Sequence, residues 1–290
     1  MDIEALKAFR YIVELGTISQ AAEKLNYSQS NVTTKLAKLE NQLQTKLLHR
    51  HNRGCEVTQK GKDLYEHAIQ IFMLMEKAEN TMQDDHSPKG TLQIGSIETT
   101  AAIYLSKILM NYHENYPNVS LNVRTQPTAM LIEQVLNYQL DGAFISGPLE
   151  HSLLGKQLVV NEELVFIYAK GKEPVLEDTT ILVFRSGCSY RFQMEKYLRE
   201  NHIKTYQVME MGSLEAILGC VEVGLGVTLL PKSVFKRYSR YFDLDFKEIS
   251  NHYKKVPTEF IYRKDNPSVA LRYFISELTA TNTETKVKQL

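Results

Sequence analysis

The sequence predicts a multidomain chain in which an α-helical N-terminal region precedes a larger α/β domain. In the first part of the chain, apolar positions recur at helical spacing around one short hairpin-like segment. From residue 91 onward, short apolar segments typical of strands alternate with helical ones. Residues 84–90 are polar and contain proline and glycine, which suits a hinge. A length of 290 residues is enough for two domains with cores of their own.

Three helices are predicted before the hairpin-like segment. The first, Ile3–Leu15, has its apolar residues on one face, and Gly16 is suited to end it. The next two lie within residues 18–43, and Ser28 stands where its hydroxyl can cap the second of them. Each of these two helices has an apolar face, formed by Ile18, Ala21, Ala22 and Leu25 in one and by Val32, Leu36, Leu39 and Leu43 in the other.

The outward face of the third helix carries hydrogen-bonding side chains and no acid. Its members are Gln29, Ser30, Thr33, Thr34 and Lys38. Amides, hydroxyls and cations are the groups that read base edges in the major groove of DNA. The face therefore predicts a recognition helix that begins after Ser28, and Ser28 is counted with these residues as DNA-binding. The alternative is an ordinary helix pair with a solvated polar face.

The distribution of charge favours the DNA interpretation. The formal net charge of the chain is zero, which by itself argues against a nucleic-acid-binding protein. Residues 24–62, however, hold eight basic residues against two acidic ones, Glu40 and Glu56. A basic patch is what phosphate contacts require, although such a patch is more often only a solvated face. Here it coincides with the helix pair.

A basic hairpin-like segment follows at residues 47–58, with the turn-forming residues Asn52, Arg53 and Gly54 at its tip. Three helices and a basic hairpin are the plan of a winged helix-turn-helix domain, which we assign to residues 1–60. Arg53 is placed to contact a minor groove or a phosphate. Arg50, at the base of the hairpin, has either a DNA-contacting or a structural role.

Residues 58–86 are predicted to form one long linker helix with a coiled-coil seam. Apolar residues repeat by four and three through more than three heptads, which predicts a homodimer. The seam residues are Leu64, Ala68, Ile71, Met75, Ala78 and Met82. The alternative is that this face packs on its own chain.

Taken together, these segments resemble the DNA-binding domain of LysR-type transcriptional regulators. The resemblance rests on residues 6–9, 16–25, 28–33, 36–40, Leu43, 50–53, Val57, Thr58 and Gly61. The sequence departs from the family at Leu48, where Phe is usual, at Val57, where Leu is usual, and at residues 45–46, where Gly is common. The resemblance implies that Gln29, Ser30, Thr33 and Thr34 face bases and that Arg53 faces the groove beside the wing.

The larger domain alternates strands and helices, which implies parallel sheets covered on both faces. The predicted strands are 91–95, 119–125, 141–146, 164–169, 181–185, 206–211, 227–230 and 259–263, and the predicted helices are 101–116, 129–137, 190–201, 214–223 and 268–278. Residues 279–290 form a polar tail that we expect to fray.

This order resembles the family's effector domain, a type II periplasmic-binding-protein-like fold of two α/β subdomains. We place the domain at residues 90–290. Subdomain I covers about 90–160 and 266–290, and subdomain II about 161–265, with crossings near 159–163 and 263–267.

Ligands of such folds bind in the cleft at the carboxyl ends of strands. Two strand-to-helix junctions offer hydroxyls and free backbone N–H groups that suit an anionic small molecule, and Arg185 or Arg191 can add a positive charge. The resemblance favours an effector site formed by Ser96, Glu98, Thr99, Thr100, Gln126, Ser146, Ser186, Gly187, Cys188 and Ser189. Plain helix capping is the alternative for the hydroxyl residues. Because Cys188 is expected at a helix N-terminus, we predict a lowered pKa for its thiol, which would permit redox sensing.

Several kinds of protein are not expected. The N-terminus lacks a secretion signal, no apolar run is long enough to span a membrane, and three scattered cysteines suit a reducing cytosol, so a cytoplasmic location is predicted. Residues 219–226 end a helix and do not form a nucleotide-binding glycine motif. We find no metal-ligand spacing and no catalytic arrangement, and expect no metal, no cofactor and no enzymatic activity.

The sequence thus favours a sequence-specific DNA-binding transcriptional regulator controlled by a small-molecule effector. Its expected partners are double-stranded DNA, the effector, RNA polymerase and further copies of itself, as a homodimer that assembles into a homotetramer. The alternative is an α/β small-molecule-binding protein or enzyme with an oligomerising N-terminal region and no DNA role.

Overall fold

The computed structural model describes residues 1–51, 54–82, 87–250, 254–265 and 267–287. It divides into two compact units, residues 1–82 and residues 83–290, and each is described by itself. In these described ranges, no helix is long and apolar enough to cross a membrane.

The first unit is helical with one small hairpin. Its elements are α1 (Ile3–Leu15), α2 (Ile18–Leu25), α3 (Gln29–Leu43), β1 (Leu48–His51), β2 (Gly54–Val57) and α4 (Gln59–Met82). The Asp2 carboxylate caps α1 by accepting the Glu4 N–H at 3.1 Å, and Gly16 ends the helix in the left-handed region at φ 79°. The predicted three helices and hairpin are confirmed.

The core of this unit forms where α1 packs against α2, α3 and α4. Phe9 and Ile12 of α1 and Val32 and Leu36 of α3 are fully buried in it. Gly61 allows α4 to pass close to the chain before β1, since a Cβ there would lie 2.2 Å from the Leu47 carbonyl oxygen. The long helix is therefore joined to the helix-turn-helix by direct packing.

The first half of the predicted coiled-coil seam belongs to this core. Ala68 is completely buried within its own chain, and Leu64 and Ile71 pack against the same cluster. The prediction that these residues face a second copy is wrong for Ala68, because the surface of α1 already covers that face of α4. Farther along the helix, Met75 and Ala78 are exposed, while the side chain of Met82 lies outside the described residues.

The second unit contains the α/β elements. Its strands are β3 (Gly90–Ser96), β4 (Val119–Thr125), β5 (Gly142–Ser146), β6 (Leu154–Ala169), β7 (Thr179–Phe184), β8 (Tyr206–Met211), β9 (Thr228–Pro231), β10 (Leu244–Glu248) and β11 (Lys255–Arg263). Its helices are α5 (Glu98–Thr100), which continues through a π-helical turn (Ala101–Leu105) into α6 (Ser106–Asn115), and then α7 (Thr128–Leu136), α8 (Ser189–Glu200), α9 (Leu214–Glu222), α10 (Lys232–Tyr238) and α11 (Val269–Val287). The final helix continues through residues that the sequence predicted to fray.

The main sheet has seven strands in the order β10-β6-β11-β5-β3-β4, with β9 also paired to β6. Strands β3, β4 and β5 are parallel, as predicted, whereas β6, β9, β10 and β11 pair antiparallel. Strands β7 and β8 form a separate parallel pair. The expectation of purely parallel sheets is thus wrong for half of the domain.

The antiparallel pairing follows from how the chain connects two subdomains. Strand β6 carries the chain from the first subdomain to the second, pairing first with β11 and then with β9 and β10. Strand β11 pairs with β5 from Thr258 onward, so the chain has returned to the first subdomain by that residue. The return crossing therefore lies near the start of β11, opposite residues 161–163 of β6, and not at 263–267 as predicted. An outgoing and a returning strand that pair must run in opposite directions.

Candidate functional site

The turn between α2 and α3 is set by local hydrogen bonds. Asn26 ends α2 in the left-handed region at φ 55°, and its N–H donates to the carbonyl oxygens of Ala22 and Glu23. Ser28 Oγ then accepts the Asn31 N–H at 3.2 Å, which starts α3. The Tyr27 hydroxyl between them donates to Glu4 Oε2 at 2.7 Å and fixes the turn to α1.

The outward face of α3 is exposed along the length that the sequence predicted. Gln29, Ser30, Thr34 and Lys38 are exposed, and Thr33 is half-buried. The Thr34 hydroxyl donates to the Ser30 carbonyl at 2.9 Å, so part of its hydrogen-bonding capacity is used inside the helix. The face can still offer one amide, several hydroxyl oxygens and one ammonium to another molecule.

Glu40 fixes the chain between α3 and the wing. Its side chain is only 4% exposed, and Oε1 accepts the N–H groups of Leu47 at 2.8 Å and Leu48 at 3.4 Å. Lys46 Nζ donates to Oε2 at 3.0 Å. Burial alone would raise the pKa of this carboxyl, but the two N–H groups and the ammonium outweigh it and lower the pKa. One of the two acids in the basic segment is therefore a structural anchor.

The wing is described only up to its tip. Strands β1 and β2 pair antiparallel from Leu48 opposite Val57 to His51 opposite Gly54. The backbone N–H of Cys55 donates to the Gly16 carbonyl at 2.9 Å, which holds the hairpin against the end of α1. Arg53 and the side chain of Arg50, both predicted to contact DNA, lie outside the described residues.

In the second unit, a cavity of about 100 Å³ lies between the two subdomains. The predicted residues Glu98, Thr99, Gln126 and Cys188 line it. Ile97, Thr125 and Pro127 from the first subdomain and Phe184, Arg185, Tyr190, Met211 and Gly212 from the second complete the lining. The cavity therefore joins the two strand-to-helix junctions that the sequence singled out.

The other predicted effector residues do not line this cavity. Ser96, Thr100 and Ser146 are buried, and Ser96 Oγ donates to the Ile97 carbonyl at 3.0 Å. Ser186 and Gly187 are exposed beside the cavity, and Ser189 Oγ lies close to Gly147, where a Cβ would come within 2.8 Å of it. These residues shape the junctions without forming the cavity wall.

Two hydrogen bonds connect the subdomains at the edge of the cavity. The Thr99 hydroxyl donates to the Tyr190 hydroxyl at 3.2 Å, with both side chains buried. The Ala129 N–H donates to the Gly187 carbonyl at 3.2 Å. Gly187 has φ 87°, and a Cβ at this position would lie 3.2 Å from Ala129, so a glycine suits this approach.

The Glu98 carboxylate lines the cavity, and its surroundings shift its pKa. Burial raises the pKa of Glu98, the nearby Glu215 carboxylate raises it further, and the Thr125 hydroxyl opposes the change. Among the described residues, Glu98 forms no ion pair within 4.0 Å. Ionised Glu98 would thus favour a positive group in the cavity.

The Cys188 thiol does not have the property predicted for it. Burial raises the pKa of the thiol, and the backbone N–H groups of Tyr190 and Arg191 with the Arg191 charge only partly oppose this. The expectation of a lowered pKa is wrong because removal from water disfavours the thiolate more than the start of α8 stabilises it. A neutral thiol is a poor redox sensor.

Sequence reasoning missed Tyr190, Met211 and Gly212. Met211 and Gly212 lie at the carboxyl end of β8, which pairs parallel to β7, so the rule that located the other two junctions also covers this third strand end.

Two family models match the chain. A model described as a bacterial regulatory helix-turn-helix protein of the lysR family matches residues 3–62, and a LysR substrate binding domain matches residues 85–282. The chain is 44% identical over 271 residues to the HTH-type transcriptional regulator GltR of Bacillus subtilis (strain 168), covering 91% of each chain. It is 39% identical over 281 residues to the HTH-type transcriptional regulator SoxR of Arthrobacter sp. (strain TE1826), covering 96% of each.

Solved structures share the fold. A full-length OxyR variant from Pseudomonas aeruginosa superposes with a TM-score of 0.70 at 19% identity, covering 96% of this chain and 94% of that one. Full-length CbnR complexed with its target DNA gives a TM-score of 0.69 at 22% identity, covering 97% and 99% of the two chains.

Proposed function

The chain belongs to the LysR family of transcriptional regulators, with a DNA-binding helix-turn-helix and an effector-binding domain, and from that premise we propose how its own residues serve each role. We propose that α3 enters the major groove of a specific DNA site and that Gln29, Ser30, Thr33 and Thr34 contact its bases. Lys38 would contact a phosphate, as would Arg50 and Arg53 of the wing.

The observation that carries this proposal is the exposed face of α3 on a well-packed support. The helix is anchored by Ser28 at its start and by Glu40 near its end, while its opposite face is buried through Val32, Leu36 and Leu39. A rigid helix with a free amide and hydroxyl face can place these groups against base edges without paying for ordering on binding.

We further propose that the cavity between the subdomains binds the effector and that occupancy changes how DNA is held. The residues nearest to a ligand would be Glu98, Thr99, Gln126, Arg185 and Cys188, which line the cavity. A ligand that bridges the two junctions would favour one relative position of the subdomains over another, since it contacts both.

Four further properties go with this function. The protein would act in the cytoplasm, where its DNA is, and would have no catalytic activity of its own. It would bind DNA as a homodimer or homotetramer through the exposed end of α4, Met75 and Ala78 included, and would contact RNA polymerase. A two-fold symmetric assembly would present two copies of α3 to a palindromic site.

The test is binding of the full-length protein to the intergenic DNA upstream of its own coding sequence, with a footprint and a salt series. We expect a protected, roughly palindromic site whose affinity falls steeply with salt. Gln29→Ala and Thr33→Ala should each weaken specific binding by about 1–3 kcal/mol while sparing non-specific binding. Gln42→Ala is the matched control, because Gln42 is exposed on the last turn of the same helix.

The opposite result would be equally clear. If no site is protected at low salt, or if Gln29→Ala and Gln42→Ala behave alike, α3 does not read this DNA.

A further inference from the structure

The cavity between the subdomains holds two opposite charges that do not neutralise each other. Glu98 begins α5 in the first subdomain, and Arg185 follows β7 in the second. Both line the cavity, yet no ion pair within 4.0 Å joins them or connects either to another described residue. A cavity with one unpaired charge from each side is suited to a ligand that carries both signs.

Negative charge on the first wall is reinforced from the second subdomain. Burial is the larger cause of the raised pKa of Glu98. Glu215, in the first turn of α9, lies close enough to raise this pKa further. Glu215 itself accepts a hydrogen bond from the Tyr238 hydroxyl at 2.8 Å, and among the described residues it forms no ion pair within 4.0 Å. An ammonium group near Glu98 would stabilise the ionised carboxylate, which burial and the repulsion from Glu215 both disfavour.

Positive charge is available at Arg185 and not at Arg191. Arg191 Nε donates to Glu195 at 2.8 Å and its Nη1 to Glu210 at 2.6 Å, so this guanidinium is already neutralised. Arg185 has no such partner in the part of the chain that the structure describes, and its guanidinium lies over Gly212, where a Cβ would come within 3.2 Å of Nη2. The choice that the sequence left open between the two arginines is therefore resolved by their partners.

The remaining wall sets the size and polarity of the ligand. Ile97, Pro127, Phe184 and Met211 are apolar, and the Thr99 and Tyr190 hydroxyls are engaged with each other. The volume of the cavity, about 100 Å³, is in the range of a small molecule. An anion without an amine would face Glu98 and Glu215, and an amine without an acid would face Arg185.

We infer that the effector is a small zwitterion of the amino-acid class, with its ammonium group on Glu98, its carboxylate on Arg185 and a short side chain against the apolar wall. This inference rests on the proposed effector role of the cavity and narrows it. It replaces the expectation of a simply anionic effector.

The test uses the full-length protein and a calorimetric titration with the twenty standard amino acids. Each amino acid that binds is compared with the carboxylic acid that lacks the α-amino group and with the amine that lacks the carboxylate. We expect at least one amino acid to bind and both truncated analogues to bind at least about tenfold more weakly, since each leaves one of the two charges lining the cavity unmatched.

Variants then assign the two charges. Glu98→Gln and Arg185→Gln should each weaken binding of the amino acid by about tenfold or more. Glu98→Gln should also strengthen binding of the deaminated acid relative to the natural protein, because the repulsive carboxylate is gone; a general loss of structure would not produce this gain. Glu177→Gln and Arg199→Gln are matched controls at exposed positions away from the cavity lining and should change neither affinity.

The outcomes separate this inference from the proposed function. If no amino acid binds the natural protein, the zwitterion assignment is wrong. If the deaminated acids bind as tightly as the amino acids and Glu98→Gln has no effect, the cavity is still an effector site but for an anion, and the assignment is again wrong. Loss of DNA protection in the footprint would instead count against the regulator proposal and not against the ligand class.

Discussion

The Thr99 hydroxyl donates a hydrogen bond to the Tyr190 hydroxyl at 3.2 Å, and this contact joins the two subdomains of the effector domain beside the cavity. Both side chains are almost completely buried, so water cannot replace either partner. The Ser146 hydroxyl also interacts with Tyr190, although its geometry leaves it without a full hydrogen bond. Tyr190 therefore holds the second junction to the first through its hydroxyl group.

This contact gives a first prediction. In a double-mutant cycle, Thr99→Val and Tyr190→Phe should be non-additive by about 0.5–1.5 kcal/mol, because removing either hydroxyl already breaks the bond. Chemical unfolding followed by circular dichroism measures this, since the chain has no tryptophan. Thr99→Val with Tyr112→Phe is the control pair, as the Tyr112 hydroxyl donates to the Ala270 carbonyl instead. Additivity in the Thr99–Tyr190 cycle would contradict the coupling.

Glu40 supports a second prediction, about the stability of the DNA-binding unit. Glu40→Ala should lower the free energy of unfolding by about 1.5–3 kcal/mol, because it leaves the N–H groups of Leu47 and Leu48 without their charged acceptor. Glu40→Gln, which keeps one acceptor oxygen, should cost less. Unfolding by urea with a constant m-value is the measurement. Glu56→Gln, on the exposed side of the wing, is the control and should be nearly neutral.

The same carboxylate predicts a pH dependence. Because the pKa of Glu40 is lowered in the folded protein, its stabilisation is fully present above the ordinary carboxyl pKa and is lost as the pH falls through the lowered folded value. The natural protein should therefore lose more stability on acidification than Glu40→Gln does. If acid unfolding shows that the two proteins lose the same stability as the pH falls, Glu40 does not contribute to the pH dependence.

The features of the fold and the site that could be predicted from the sequence are those that neighbouring residues determine. The helices of the first unit, the cap at Ser28 and the exposed face from Gln29 to Lys38 followed from spacing and capping, which are properties of neighbouring residues. The burial of Ala68 did not, since a heptad pattern is the same whether the seam meets another copy or α1 of its own chain.

The cavity shows the same limit. Both junctions could be located because ligands of such folds bind at the carboxyl ends of strands, where helices begin, but Arg185 and Arg191 could not be told apart. Only the placement of Glu195 and Glu210 beside Arg191 distinguishes them. The return crossing near the start of β11 was likewise hidden, because β11 pairs with residues of β5 and β6 that lie more than ninety positions earlier in the chain.

A fourth prediction concerns assembly through the exposed part of α4. Met75 is 36% exposed in the single chain and lies beyond the segment of the helix that packs on α1. Met75→Glu should weaken self-association by at least about tenfold, since a symmetric dimer would bury the substituted side chain twice. Sedimentation over a range of concentrations measures this. Val175→Glu, also at an exposed apolar residue, is the control; equal behaviour of the two variants would place the interface elsewhere.

The last prediction tests Glu98 through pH and follows from the inferred zwitterionic effector. In the free protein the pKa of Glu98 is raised by burial and by Glu215, while the Thr125 hydroxyl opposes the rise. An ammonium group at this position favours the ionised carboxylate, so ligand binding should lower the pKa and release a proton. Affinity should therefore increase as the pH rises through the raised pKa and level off above it, where Glu98 is already charged.

Calorimetry in two buffers of different ionisation enthalpy measures the proton release directly. The natural protein should release a fraction of a proton in the range between the ordinary and the raised pKa of Glu98, and none well above it. Glu98→Gln should bind more weakly with no proton release, and Glu177→Gln should match the natural protein. Proton uptake on binding would mean that the carboxylate becomes protonated to meet an anionic ligand, and the ammonium would then have no place on Glu98.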